Sequence, residues 1–157
     1  MEALGPPAPL AASHDTAAFA CGVPALDAWL RRAPPSGAFV LHEAGRVRGF
    51  HALAPGSVRA RGDRPGRSLP ILKLGRLAVD RPAQGQGLGT ALLLDAFART
   101  YALSRRTPVA ALVADPPLAA AGWLRGLGFL PVPGDASAMF VALGTIEALV
   151  EAARATR

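Results

Sequence analysis

The sequence predicts an α/β fold, a mixed sheet with helices on both faces. Strand-like and helix-like segments alternate along the chain, and no internal repeat is visible. One apolar run, Ile71 to Val79, leads through three closely spaced glycines into a helical segment, Thr90 to Leu103. Domains commonly run to about 100–150 residues, so we expect the 157 residues to form a single domain, 1–157.

Composition and the N-terminus predict a soluble, cytoplasmic protein without a membrane partner. Apolar residues make up 51% of the chain, but Pro and Gly interrupt every run before it reaches the roughly 20 residues that span a bilayer. The Pro-rich start, Met1 to Leu10, lacks the cationic beginning of a signal peptide. The one cysteine, Cys21, excludes an internal disulfide and a metal site built on several thiolates. We expect it to be a buried apolar residue.

The chain is basic, with 17 Lys and Arg against 11 Asp and Glu and a net charge of +6. Such a balance is typical of a protein with an anionic partner, but also of an arginine-rich genome. Arginine contacts phosphate through a planar fork of donors. The Pro/Gly/Ser-rich segment Pro55 to Pro70 is therefore equally well interpreted as a loop that contacts RNA or as a loop that is only solvated. Its arginines are Arg59, Arg61, Arg64 and Arg67.

Turn signals and apolar spacing divide the first half of the chain. Proline favours the first turn of a helix, and Ala44-Gly45 suits a tight hairpin. The predicted elements are a short strand at Leu10 to Ser13, a helical turn at Thr16 to Cys21, a helix opened by Pro24, and a hairpin of Ala38 to Glu43 with Arg46 to Ala54. His42 and His51 lie on the hairpin, and we expect both to be structural because no second metal ligand is suitably spaced.

The second half alternates between strands and helices. In the strand Ile71 to Val79, Gly75 predicts a bulge or a close backbone approach. On the helix that follows, Asp95 and Arg99 are expected to pair on the solvent side, opposite an apolar stripe of Leu92, Leu93, Ala96, Phe97 and Tyr101. The later predicted elements are a strand at Val109 to Val113, a helix at Leu118 to Leu127 capped by Asp115, a strand at Met139 to Leu143, and a helix at Ile146 to Ala155 with Ile146, Leu149, Val150 and Ala153 on its apolar side.

The glycine-rich segment before Thr90 predicts a phosphate site. Glycines at alternate positions let backbone N–H groups crowd together, and the following helix adds its unpaired donors and the positive end of its dipole. The spacing departs from the dinucleotide fingerprint, which would need a glycine at Thr90, and from the P-loop, which needs a lysine there. A glycine-rich turn that only joins a strand to a helix is the alternative interpretation.

The residues Gln84-Gly85-Gln86-Gly87-Leu88-Gly89 resemble the pyrophosphate loop of the GNAT superfamily of acyl-CoA-dependent N-acyltransferases, with its pattern Gln/Arg-x-x-Gly-x-Gly/Ala. The resemblance implies a mostly antiparallel sheet, acetyl-CoA as cosubstrate and no metal. In this fold the strand before the loop splays away from its neighbour, and its freed N–H groups, here those of Leu77 and Val79, polarise the thioester. The implied cofactor-binding residues are Leu77, Ala78, Val79, Gln84, Gly85, Gln86, Gly87, Leu88, Gly89 and Thr90.

Further segments resemble one subgroup, the acetyltransferase toxins of bacterial toxin-antitoxin pairs. They are Phe19-Ala20-Cys21-Gly22, Leu26-Asp27-Ala28-Trp29-Leu30, Gly49-Phe50-His51-Ala52-Leu53-Ala54, Leu74-Gly75-Arg76-Leu77-Ala78-Val79-Asp80 and Leu127-Gly128-Phe129. The resemblance implies acetyl transfer to the α-amine of aminoacyl-tRNA, a ribbon-helix-helix antitoxin as partner, and a homodimer. The arginines expected to contact RNA are then Arg59, Arg61, Arg64, Arg67 and Arg76.

One position departs from the resemblance. The family's Phe-Tyr before Gly-Phe is Trp123-Leu124 here, and leucine cannot protonate the departing CoA thiolate as that tyrosine does. A general acid typically contributes about 10²–10⁴ in rate, so its loss predicts slow transfer unless a water or another hydroxyl substitutes. No catalytic residue is named, because no proton donor is identified. A pseudoenzyme that binds acetyl-CoA or the antitoxin without turnover, and a GNAT enzyme acting on a small amine or a protein, therefore stay open.

The acceptor preference follows from a missing base. Asp80 adjoins a turn and Asp115 is the expected helix cap, so neither is a convincing base. A lysine amine with a pKa of about 10.4 needs one, whereas a peptide α-amine near 7.7–8.0 is already partly neutral. The sequence therefore favours an aminoacyl ester amine over lysine.

Overall fold

Strands and helices alternate in the computed structural model, which describes residues 4–32, 36–59, 67–116 and 120–156. The strands are β1 (Ala8–Pro9), β2 (Ala38–Glu43), β3 (Arg46–Arg59), β4 (Ser68–Val79), β5 (Ala111–Ala114), β6 (Leu130–Val132) and β7 (Asp135–Ala142). The helices are α1 (Pro24–Arg32), α2 (Leu88–Ser104), α3 (Ala121–Gly126) and α4 (Leu143–Ala155), with a 3₁₀ turn at Arg81–Ala83.

The seven strands hydrogen-bond in the order β1-β2-β3-β4-β5-β7-β6. β2 pairs antiparallel with β1 and β3, and β7 pairs antiparallel with β5 and β6, whereas β4 and β5 are parallel. The predicted mixed and mostly antiparallel sheet is thereby confirmed. Within the described ranges, no helix has the length and apolar character needed to cross a membrane.

The chain divides into two compact units. The first contains Met1–Leu53 and Arg76–Ala96, and the second contains Ala54–Gly75 and Phe97–Arg157. The first holds the β2–β3 hairpin and the beginning of α2, and the second holds β5 to β7 with α3 and α4. The single domain expected from the chain length stays a prediction.

The β2–β3 hairpin carries the core of the first unit. Its two-residue turn places Ala44 and Gly45 at φ 49° and 86°, both in the left-handed region that a type I′ turn requires. Farther along β3, the fully buried Phe50 receives Phe19 edge-on at 5.6 Å and the stacked ring of Trp29 at 5.7 Å. The remaining buried members of this cluster are Leu10, Leu30, Ala38, Val40, Val47 and Ala78.

Strand β5 is the centre of the second unit, and all four of its residues are buried. It pairs with β4 from Leu72 to Leu74 and with β7 along its whole length. The late part of α2 joins this unit through Phe97, whose ring lies 5.9 Å from that of Phe129. Buried residues of β4, β5 and β7 form a small apolar cluster here: Ile71, Ala111, Val113 and Ala138.

Helix α2 confirms the predicted apolar stripe, whose residues Leu92, Leu93, Ala96, Phe97 and Tyr101 are all buried. The expected placement of Asp95 on the solvent side is wrong. Its Oδ2 lies 2.7 Å from Nε2 of His51, which is fully buried on β3, so an acidic residue is drawn inward by a polar group that also needs a partner. Nδ1 of His51 has no hydrogen-bond partner in the part of the chain that the structure describes.

Two predictions near the N-terminus are wrong in detail. The first strand lies at Ala8–Pro9, because Ala11 donates its N–H to Nδ1 of His14 and the chain turns there. The helical turn at 16–21 is reduced to a single bond from Phe19 N–H to the Thr16 carbonyl. The N–H groups that would continue the helix bond to buried carboxylates instead, as described below.

The loop predicted over residues 55–70 is shorter than expected. Residues through Arg59 belong to β3 and residues from Ser68 belong to β4, since strand pairing overrides the Pro and Gly signals. Pro70 accepts a hydrogen bond at its carbonyl from the Ala110 N–H. Arg59 and Arg67 are exposed, whereas Arg61 and Arg64 lie outside the described residues.

Of the C-terminal elements, β7 and α4 are longer than predicted, and Asp115 does not cap α3. The helix predicted over Leu118 to Leu127 is observed at Ala121–Gly126, while residues 118 and 119 lie outside the described residues. α3 begins after Ala120, which makes no side-chain cap bond, and Asp115 pairs with Lys73 at 3.1 Å instead. The sequence missed β6 and placed the beginnings of β7 and α4 too late. Of the apolar side expected for α4, Ile146 and Val150 are buried, but Leu149 and Ala153 are exposed.

Candidate functional site

The glycine-rich segment forms an exposed loop between the 3₁₀ turn and α2. Gly85 and Gly87 have φ of 80° and 82°, in the region that other residues rarely adopt. A Cβ at either position would meet nothing within 4 Å. These two glycines are therefore required by the backbone conformation, and the space beside them is open to a ligand.

The loop leads directly into the N-terminus of α2. Ala91 N–H donates to the Gly87 carbonyl, the first bond of the helix. The preceding N–H groups, those of Leu88, Gly89 and Thr90, have no helical carbonyl to bond to and carry the positive end of the helix dipole. No acidic residue occupies this first turn. Together these donors suit an anion such as a phosphate.

Gln84 fixes the start of the loop. Its Nε2 donates to the Val79 carbonyl at 2.8 Å and to the Cys21 carbonyl at 2.9 Å. The side chain thereby joins the end of β4 to the N-terminal segment and orients the loop that follows. The sequence pattern marked this glutamine as part of the motif but gave no partner for it.

Asp80 anchors the same region from inside the protein. Only 1% of the residue is exposed. Its Oδ1 accepts from Ala20 N–H at 3.0 Å and its Oδ2 from Arg48 at 2.9 Å, while its own N–H donates to the Arg48 carbonyl. A buried carboxylate with these partners is a structural anion, which excludes the general-base role considered for it.

The N-terminal segment Phe19 to Gly22 is held along its backbone. Cys21 N–H donates to the buried carboxylate of Asp27, and Arg31 donates to the Phe19 carbonyl. Gly22 has φ 100°, and a Cβ there would lie 3.2 Å from the Arg81 guanidinium. The segment Phe19 to Gly22 therefore supports the 3₁₀ turn and the glycine loop that follows it.

The edge of β4 opposite β3 offers further donors beyond Leu74. Because Asp80 N–H points toward β3, the alternation of a strand turns the N–H groups of Leu77 and Val79 to the opposite edge. The parallel pairing of β4 with β5 ends at Leu74. Gly75 follows that point directly, and the close approach predicted for it is wrong because no described atom lies within 4 Å of a Cβ there.

Leu124 lies on α3 and is buried. The helix ends in a Schellman motif: Phe129 N–H donates to the Leu124 carbonyl, Gly128 N–H donates to the Arg125 carbonyl, and Gly128 has φ 102°. Phe129 is fully buried. The Leu-Gly-Phe motif therefore sets the end of the helix that carries position 124, where no proton donor is present.

Other reactive groups are engaged structurally. Burial, followed by a hydrogen bond to Asp27, raises the pKa of the Cys21 thiol, so it stays protonated at neutral pH and is no thiolate nucleophile. Cys21 packs against the core of the first unit but is only half-buried, so the expectation that it is buried is wrong. The Tyr101 hydroxyl lies 3.4 Å from Glu151. Among the residues that the structure describes, no group of three or more His, Cys, Asp or Glu side chains could hold a metal.

Arg76, one of the residues predicted to contact RNA, lies on β4 directly before Leu77. It is exposed, and its Cζ lies 4.4 Å from the centroid of the Trp29 ring. The sequence could not reveal this contact, because the two residues are far apart along the chain. The same holds for Asp80 and for the His51–Asp95 pair, whose partners come from distant elements.

The glycine loop at the start of α2, which follows β4 of a mixed sheet, defines a protein that binds an anionic ligand through backbone groups. Residues 7–129 match the acetyltransferase (GNAT) family, and the chain belongs to that family.

Among similar proteins is the tRNA-acetylating toxin of Mycobacterium tuberculosis. It is 42% identical over an alignment of 113 residues, and the match covers 63% of this chain and 68% of that protein. A tyrosine-to-phenylalanine mutant of the AtaT toxin, bound to the C-terminus of the antitoxin AtaR and acetyl-CoA, is similar in structure with a TM-score of 0.75 and 28% identity, over 87% of this chain and 90% of that chain. AtaT complexed with acetyl-methionyl-tRNAfMet gives a TM-score of 0.77 and 26% identity, over 88% and 94% of the two chains.

Replacing Gln84 by alanine should weaken acetyl-CoA binding while the protein remains folded. Two hydrogen bonds are lost, each with a net value of about 0.5–1.5 kcal/mol, and the loop loses its fixed start. We expect calorimetry to show a Kd raised by about five- to hundredfold. Thr107→Ala is the control, since Thr107 is exposed and does not belong to the expected cofactor-binding residues. Equal affinities for Gln84→Ala and Thr107→Ala would contradict this role.

Proposed function

We propose that the protein is an N-acetyltransferase that moves an acetyl group from acetyl-CoA to the α-amine of aminoacyl-tRNA. The observation that carries the proposal is the pair of left-handed glycines, Gly85 and Gly87, set between an anchored Gln84 and the open N-terminus of α2. Because the chain belongs to the acetyltransferase family, the ligand proposed for this anion site is acetyl-CoA.

The proposed cofactor site consists of the loop and the strand before it. The N–H groups of Leu88, Gly89 and Thr90, with those of the glycine loop, hold the pyrophosphate. Leu77 and Val79 direct their N–H groups to the free edge of β4, where they bind the pantetheine arm and polarise the thioester carbonyl. The full set is Leu77, Ala78, Val79, Gln84, Gly85, Gln86, Gly87, Leu88, Gly89 and Thr90.

The two carboxylates considered as bases, Asp80 and Asp115, both have partners, which favours an acceptor that is already neutral. Asp80 is buried against Arg48, and an oxygen of Asp115 lies 3.1 Å from Lys73 Nζ. With these carboxylates engaged, we expect no strong base for a lysine side chain, whereas the α-amine of an aminoacyl ester can attack directly. Support for tRNA as the carrier of that ester comes from the relatives, one called a tRNA-acetylating toxin and one solved with acetyl-methionyl-tRNA.

Two partners belong to the same proposal. An antitoxin is supported by the AtaT structure that contains the C-terminus of AtaR. We propose a ribbon-helix-helix protein in that role, and a homodimer of this chain in the cytoplasm. The RNA contacts proposed for Arg59, Arg61, Arg64 and Arg67 stay predictions, and Arg76 is considered below.

Incubation with labelled acetyl-CoA tests the acceptor. Charged total tRNA and a lysine-containing peptide are offered in parallel at neutral pH, and mass spectrometry follows the products. We expect N-acetylated aminoacyl ends and an unmodified peptide. Acetylation of the peptide with charged tRNA untouched would overturn the acceptor assignment, and tight acetyl-CoA binding without any product would favour the pseudoenzyme.

Leu124→Tyr tests whether proton delivery limits the reaction. If the restored hydroxyl protonates the departing thiolate, turnover should rise, by up to about 10²–10⁴. Leu124→Phe is the matched control, because it adds the same ring at this buried position without the hydroxyl. The experiment compares single-turnover rates after thermal melting has established that both variants fold. Equal rates for the tyrosine and phenylalanine variants would exclude a missing general acid as the limit.

A further inference from the structure

One exposed arginine is held by aromatic stacking immediately before the thioester-polarising position. The Arg76 guanidinium lies 4.4 Å from the Trp29 ring, and Trp29 stacks on the fully buried Phe50 with 15° between the ring planes. Arg76 is thus connected through Trp29 to the core of the first unit. A side chain held in this way loses little conformational entropy when a ligand binds.

The charge of Arg76 is not neutralised within the described residues. Arg46 and Arg48 pair with Asp80, and Lys73 pairs with Asp115, but no carboxylate in the described ranges lies within 4.0 Å of Arg76. Its Cζ lies over the Trp29 ring, and its N–H groups are not engaged by any described carboxylate, so they can donate to an anion. The planar fork of donors matches a phosphate.

The position of Arg76 along β4 connects this anion site to the acceptor. Arg76 directly precedes Leu77, and successive residues of a strand are only about 3.3 Å apart. In an aminoacyl-tRNA the reacting amine is joined through an ester to the terminal ribose, and the nearest phosphate is on the other side of that ribose. A lysine side chain or a small amine carries no such phosphate.

We infer that Arg76 recognises the acceptor by binding the phosphate next to the aminoacylated terminal ribose of the RNA. Trp29 is the residue that positions the Arg76 guanidinium. The inference rests on the proposed function and names the group that selects its substrate. Arg76 thereby acts in substrate selection, whereas the N–H groups of Leu77 and Val79 act on the thioester.

The test compares two acceptors that share an α-amine and an ester. One is charged tRNA, and the other is the methyl ester of the same amino acid, which has no phosphate. For Arg76→Ala we expect kcat/KM on charged tRNA to fall by about ten- to hundredfold, chiefly through KM. The slope of log affinity against log salt should fall by about one. The rate on the methyl ester and the Kd for acetyl-CoA should not change.

Two further variants accompany Arg76→Ala: Arg76→Lys as the conservative change and Arg106→Ala as the charge control. Lysine keeps the charge but loses the fork and the stacked plane, so its loss should be intermediate. Arg106 is exposed after the end of α2, and Arg106→Ala removes the same charge elsewhere, so it should leave both acceptors unaffected. Equal losses for Arg76→Ala and Arg106→Ala, or an equal loss on both acceptors, would overturn the inference.

A binding measurement separates this inference from the proposed function. Fluorescence anisotropy with uncharged tRNA needs no turnover, and Arg76→Ala should weaken binding where Arg106→Ala does not. If the wild-type protein acetylates no charged tRNA, the proposed function fails. If Arg76→Ala binds tRNA as the wild type does, with an unchanged salt slope, the inference fails whether or not acetylation occurs.

Discussion

The buried carboxylate of Asp80 is the interaction on which the rest of the site depends. It accepts hydrogen bonds from Ala20 N–H and from Arg48, at the point where β4 ends and the 3₁₀ turn begins. Removing it would take their shortest carboxylate partner from the part-buried Ala20 N–H and from the largely buried Arg48 guanidinium, which costs more than losing an exposed ion pair. Asp80 therefore fixes the N-terminal segment relative to the strand end, and Gln84 attaches the loop to both.

That fixed frame explains how an exposed loop can present an ordered set of donors. Gln84 bonds to two carbonyls of the frame, and the left-handed conformations of Gly85 and Gly87 turn the chain into α2 without side chains in the way. Binding then requires little reorganisation, because the donors are already placed. The donors of the proposed site are mainly backbone N–H groups, whereas Asp80 and Asp115 are each engaged by another side chain and Leu124 has no proton to donate.

Much of this was accessible from the sequence, and the misses share a physical cause. The glycine spacing and the apolar stripe of α2 are local patterns, so the loop, the helix and the sheet class were predicted. Asp115 was taken for a cap because Asp-Pro is typical of a helix start, but Lys73 from β4 is its partner. Asp95 was placed in solvent because helical spacing cannot show His51 on β3. Contacts between distant segments decided each of these cases, and no local pattern encodes them.

The central claim is that the backbone N–H groups of the loop and of the β4 edge bind acetyl-CoA. An amide NMR titration of the ¹⁵N-labelled protein with acetyl-CoA tests it directly, because each N–H group reports its own change. The account predicts that the largest saturable shifts fall on Leu77, Val79 and residues 85–90. Saturable binding that leaves those amides unshifted, and moves others instead, would contradict it.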